Sequence, residues 1–149
     1  MNAKVVSYWI ATVLIALETF AGGIVDLLHG RTNVFSGMPV VDIVTRLGYP
    51  VYLLTILGIW KLCGSITLIV PGLLRLKEWA YAGIIFELTG AIASWVAIGD
   101  KTGQLIAPLG LTVVAIASWA LRPPNRVLGT ILSNTYDRST NPPRFDKAA

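Results

Sequence analysis

The chain has 149 residues, of which 54% are apolar and only 13% charged, with a formal net charge of +4. Soluble domains carry about a quarter of charged residues, so this composition excludes an ordinary water-facing surface and its long apolar blocks point to lipid as the solvent. The basic residues mostly flank those blocks, where they meet lipid headgroups and argue against nucleic acid as a partner, and the single cysteine, Cys63, leaves no intramolecular disulfide, CxxC dithiol or multi-cysteine metal site.

Four apolar blocks, at about 7–28, 51–70, 79–98 and 104–121, each approach the roughly 20 residues that cross a bilayer as a helix. None alternates as a spanning strand does, and in lipid every backbone N–H and C=O must bond internally, so helices are expected. Lys4 before the first block and Ala21, Gly22 and Gly23 within it have the outline of a cleaved signal. Glu18 interrupts the apolar core, however, and three more spans follow, so cleavage is not expected. In the connection at 30–49, Pro39 and Gly48 frame a short helix carrying Val40, Val41, Ile43, Val44 and Leu47, read as an interfacial helix or re-entrant cap. Pro50 suits the first turn of the second span, and Pro71-Gly72 stops it. Gly99 and Gly103 turn the third span into the fourth, and Pro123-Pro124 ends the fourth. The expected fold is all-α: an integral membrane four-helix bundle over 1–123, with a short interfacial helix in the first extracytoplasmic loop. A polar cytoplasmic tail, partly disordered, occupies 124–149.

Lys4, Arg75, Lys77, Arg122 and Arg126 fall at one side of these spans, against Arg31, Arg46 and Lys101 at the other. Positive-inside then places both termini in the cytoplasm of a multi-pass protein of the cell (inner) membrane.

Glu18, Lys61 and Glu87 each fall near the middle of a span. Unpaired, three such charges cost on the order of 8–10 kcal/mol on insertion scales, and a lysine level with two glutamates relieves that cost. A buried Glu18–Lys61–Glu87 cluster is therefore expected, able to do acid–base chemistry or only to fix helix register. Ser7, Ala11, Glu18, Gly22, Asp26 and His29 line one helical stripe, and Gly58, Gly64, Gly83, Gly90 and Gly110 mark expected packing faces. Asp26 and His29, one turn apart, are candidates for a proton relay or a partial metal site with Asp42. Residence in the headgroup region is the plainer reading for both. Cys63 is read as a packing residue, and Trp9, Tyr49, Tyr52, Trp79 and Tyr81 as an interfacial belt. Trp60 and Trp95 are either lipid-facing or the walls of a pocket for a flat ring.

The sequence Tyr-Pro-Val-Tyr-Leu-Leu from Tyr49, Gly-Ile-Trp-Lys-Leu-Cys-Gly around Lys61, and Lys-Glu-Trp-Ala-Tyr-Ala-Gly from Lys77 to Gly83 stand out, with Phe-Glu-Leu-Thr-Gly-Ala-Ile-Ala-Ser-Trp and Ile-Gly-Asp following. Together with Glu-Thr-Phe-Ala-Gly-Gly in the first span, this resembles the DoxX-like family of small four-span membrane proteins over about 8–123. Members often carry histidine where this chain has Trp95, so no role of that imidazole transfers. The resemblance implies quinone-linked oxidation of sulfur compounds or membership of a membrane redox complex. On that footing the chain is an accessory or quinone-proximal subunit with other membrane subunits, or a homo-oligomer, as partners in the bilayer. The other two readings are a stand-alone intramembrane enzyme or binder for a small lipophilic molecule, and a structural or assembly subunit. With one histidine and one cysteine the chain alone is expected to bind no haem or iron–sulfur cluster; quinone is the cofactor the resemblance allows.

Overall fold

The computed structural model describes residues 3–30, 38–99 and 103–127. Their regular structure is all helical: α1 (Ala3–Leu27), α2 (Val40–Arg46), α3 (Tyr52–Ile69), α4 (Leu74–Ala97), α5 (Ile106–Ala120) and a 3-10 turn at Pro124–Arg126. Helices α1, α3 and α4 are long and apolar enough to cross a membrane, whereas α5 is apolar but has only 15 residues. The polar tail expected beyond Val127, and Arg31, Asp100 and Lys101, lie outside the described residues.

Helix ends follow the local chemistry. Pro39, with φ −56°, precedes α2, and Gly48 at φ +83° takes the left-handed conformation that lets the chain leave it. Gly72 at φ +84° does the same after α3. Helix α4 begins at Leu74, about five residues before the apolar block, because Arg75, Lys77 and Glu78 are good helix formers even though they are not apolar.

Helix α1 packs on α3 and α5, and α4 packs on the same two, so the four close a ring with α1 and α4 on its diagonal. The tightest approach is α1 to α3. A Cβ at Gly23 would lie 2.9 Å from Lys61 Cβ and 3.1 Å from the Gly58 carbonyl oxygen, and one at Gly58 would lie 2.9 Å from the Gly23 oxygen. Small residues allow this contact between backbones, which in lipid relies on close packing rather than on hydrophobic drive. The other expected packing glycines do not serve it: Gly64, Gly83, Gly90 and Gly110 face open space. On α4 the inward positions are taken by Lys77, Tyr81, Ile84 and Trp95 instead, and Gly83 and Gly90 lie exposed off that stripe.

The buried stripe of α1 is Tyr8, Thr12, Ile15, Ala16, Thr19, Gly23 and Asp26. It is turned by about one position, roughly 100°, from the stripe the sequence suggests, which leaves Ser7 exposed and Glu18 and Gly22 at its half-buried flank. Ile15, Ala16, Leu68, Tyr81, Ile84 and Ala115 form one apolar core, and Val40 and Val44 of α2 pack with Leu54 and Val25 in a second. Cys63 is exposed rather than packed, and Tyr81, expected at the interface, is buried in the core.

Candidate functional site

The site is built where α1 and α3 touch. Lys61 leaves α3 beside Gly23, and its stem passes the bare backbone of Gly22. Its Nζ then donates to Asp26 Oδ2 at 2.7 Å and pairs with Glu87 Oε1 of α4 at 2.8 Å. Asp26 is buried, and Lys61 and Glu87 are partly so, with side chains 19% and 26% exposed. Glu18, Gly22 and Asp26 occupy successive turns of α1. A Cβ at Gly22 would stand 3.6 Å from Lys61 Nζ and 3.8 Å from Glu18 Oε1, so ammonium and carboxylate border the space left by the missing side chain. Among the described residues Glu18 makes no hydrogen bond or ion pair.

Lys61 and Glu87 thus meet, whereas the partner on α1 is Asp26 and not the expected Glu18. The physical reason is the lysine stem: long and flexible, it carries the charge away from its own Cα level and along α1 toward Asp26. Asp26 therefore belongs to the cluster. Its carboxylate is engaged by Lys61, while His29 places Nδ1 3.2 Å from the Leu27 carbonyl oxygen and Nε2 3.5 Å from Thr55 Oγ1. The relay of Asp26 to His29 is not formed by their side chains. Asp42 is exposed on α2, and among the described residues no three His, Cys, Asp or Glu side chains are grouped to hold a metal.

The two deeper tryptophans separate. Trp60 is 72% exposed on the outer face of α3. Trp95 is buried, with the Arg46 guanidinium 5.8 Å above its ring, and next to it Ser94 Oγ shares a 2.9 Å hydrogen bond with Tyr49. The segment around α2 is in this way tied to the end of α4.

A second polar cluster, unforeseen in the sequence, lies at the opposite end. Lys77, 1% exposed, donates to the Thr67 and Leu68 carbonyl oxygens at 2.6 Å each, satisfying free acceptors in the last turn of α3. Tyr81 and Thr12 each hydrogen-bond Ser118 Oγ at 2.7 Å, linking α4, α1 and α5. Arg122 grips Glu78 with both terminal nitrogens, at 2.6 and 3.1 Å, and Arg126 lies 4.5 Å over the Trp9 ring. The signal was present in the spacing 77, 81, 84, 88: a lysine on the same stripe as the inward apolar residues of α4.

In comparison with known proteins, the model of the DoxX-like family matches residues 10–118. No curated protein and no solved structure shows significant similarity to the chain.

Proposed function

The chain belongs to the DoxX-like family, and from that premise we propose that it works beside the quinone pool, as a subunit of a membrane redox complex. In this reading the Lys61 site handles protons for a small lipophilic compound of the quinone class. The observation that carries the reading is Lys61 held by Asp26 and Glu87 with the unbonded Glu18 beside it, within helices made for lipid. Three carboxylates around one ammonium leave two excess negative charges when all are ionised, which a low-dielectric site resists. Such a site favours taking up protons or meeting a ligand that offers hydrogen bonds. Reduction of a quinone to its quinol consumes two electrons and two protons. The cluster supplies or accepts the protons, and a partner subunit carries the electrons, since one histidine and one cysteine make no haem or iron–sulfur site here.

The architecture proposed with it is a four-span bundle in which α5 is the fourth span and α2 rests at the membrane interface. Both termini lie on the cytoplasmic side of the inner membrane, where Lys4, Arg75, Arg122 and Arg126 cluster. A second reading has its own support: the two short contacts of Lys61 suit a network that only fixes helix register.

Titration of decyl-quinone and decyl-quinol into the purified protein in nanodiscs, followed by tryptophan fluorescence, tests the proposal. Saturable binding should be weakened about tenfold or more by Lys61→Met and by Glu18→Gln, as loss of one hydrogen bond to a charged group costs about 1.5–3 kcal/mol. Binding indifferent to both substitutions removes the site from the function. Absence of binding to either form ends the quinone reading and leaves the register-fixing one.

A further inference from the structure

We infer that the Lys61 site communicates with water from one side of the membrane only, the side on which α2 lies. The inference rests on the Lys61 cluster as the working site but not on quinone as its ligand.

The two directions out of the cluster differ in kind. Toward α2 a polar edge runs beside the apolar cluster of Val25, Val40, Val44 and Leu54. Asp26 is followed one turn on by half-buried His29, whose Nε2 is 3.5 Å from Thr55 Oγ1, and Thr55 is itself exposed. In the opposite direction every helix of the ring interposes an apolar side chain. On α1, Ile15 and Ala16 stand between Glu18 and Thr12. On α4, Ile84 stands between Glu87 and Tyr81, and Leu68 of α3 and Ala115 of α5 complete the layer. Ile15, Leu68 and Ala115 are at most 1% exposed, and Leu88, Leu111 and Val114 pack around them. A filled apolar layer leaves no polar partners for a water, so it does not conduct one.

Beyond that layer the polar groups are already engaged. Ser118 is bonded to Tyr81 and Thr12, and Lys77 to the end of α3. The charged and titratable groups that face the cluster are Glu18, Asp26 and His29 from α1, Lys61 from α3 and Glu87 from α4, while α5 carries none. All of them lie on the α2 side of the apolar layer. A proton exchanged by Glu18, and the polar end of any ligand that meets it, therefore come and go on that side.

Thiol labelling reads this out without any quinone. In a Cys63→Ser background, Gly22→Cys adds a thiol on a Cβ that stands 3.6 Å from Lys61 Nζ and 3.8 Å from Glu18 Oε1. Asp42→Cys marks the α2 face and Arg75→Cys the other, both at exposed positions. A small membrane-impermeant methanethiosulfonate is added to sealed vesicles of each orientation. Gly22→Cys should react from the face that labels Asp42→Cys, by an order of magnitude or more faster than from the face that labels Arg75→Cys. Faster reaction from the Arg75 face, equal reaction from both, or none from either overturns the inference. If Gly22→Cys does not fold, an impermeant carbodiimide acting on the unsubstituted chain replaces it, with Glu18 modification located by mass spectrometry. Modification from the α2 face alone supports one-sided access, and any other pattern contradicts it. Labelling from the α2 face, together with no saturable binding in the quinone titration, would leave this inference standing and the proposed function refuted.

Discussion

Removal of the Lys61 ammonium leaves Asp26 and Glu87 facing each other without the charge they share. Breaking such a pair from one side costs roughly 3–5 kcal/mol, softened to the extent that the carboxylates protonate. Lys61→Met should therefore lower the unfolding temperature in detergent, and adding Asp26→Asn and Glu87→Gln should restore much of the loss, because the three act as one network. Glu18→Gln separates structure from function, since among the described residues Glu18 makes no hydrogen bond or ion pair: stability should change little while ligand binding falls. Additive effects of the Lys61, Asp26 and Glu87 substitutions would mean that these side chains do not meet. Lys61 and Glu87 were legible because each interrupts the centre of an apolar block. Asp26 was not, because its depth along α1 was counted from its own Cα, and the reach of a lysine stem is invisible to that count. Trp95 stayed open between a lipid-facing and an inward place, because its burial with Arg46 over the ring depends on where α2 sits, which no periodicity records.

Between helices, the contact at Gly23 and Gly58 sets where Lys61 can sit. Gly23→Ala puts a methyl at 2.9 Å from Lys61 Cβ and 3.1 Å from backbone, so α1 and α3 must part, at a cost of about 1–3 kcal/mol. Gly83→Ala meets nothing and should be neutral or slightly stabilising through helix propensity. Thermal unfolding of the two variants checks the contrast, and equal losses would contradict the crossing. The end of α3 depends on Lys77 in a comparable way: Lys77→Met deprives the buried Leu68 carbonyl and the half-buried Thr67 carbonyl of their donor and should cost about 1–3 kcal/mol. Helix existence was readable from apolar length and from Pro and Gly punctuation. Which glycines pack and which face lipid was not, since α1, α3, α4 and α5 all carry small residues and only the mutual rotation of the helices selects among them.

Over the whole molecule the two polar clusters stand at different levels of one ring, divided by the layer of Ile15, Leu68, Ile84 and Ala115. That division separates the Lys77 end, where polar groups tie helices together, from the α2 end, where the proposed proton chemistry lies. The apolar composition made the membrane setting plain, and the family resemblance made the helical connectivity plain. The division itself emerges only when residues from four helices are placed side by side. The central claim is that a quinone-class molecule reaches the Lys61 cluster, and photoaffinity labelling with an azidoquinone in nanodiscs, mapped by mass spectrometry, tests it most directly. The account predicts adducts on the segments of α1, α3 and α4 that surround Gly22, Lys61 and Glu87, competed away by unlabelled quinone and lost in Lys61→Met. Adducts spread over the exposed faces around Trp60 and Phe86, unaffected by competitor or by that substitution, would contradict it.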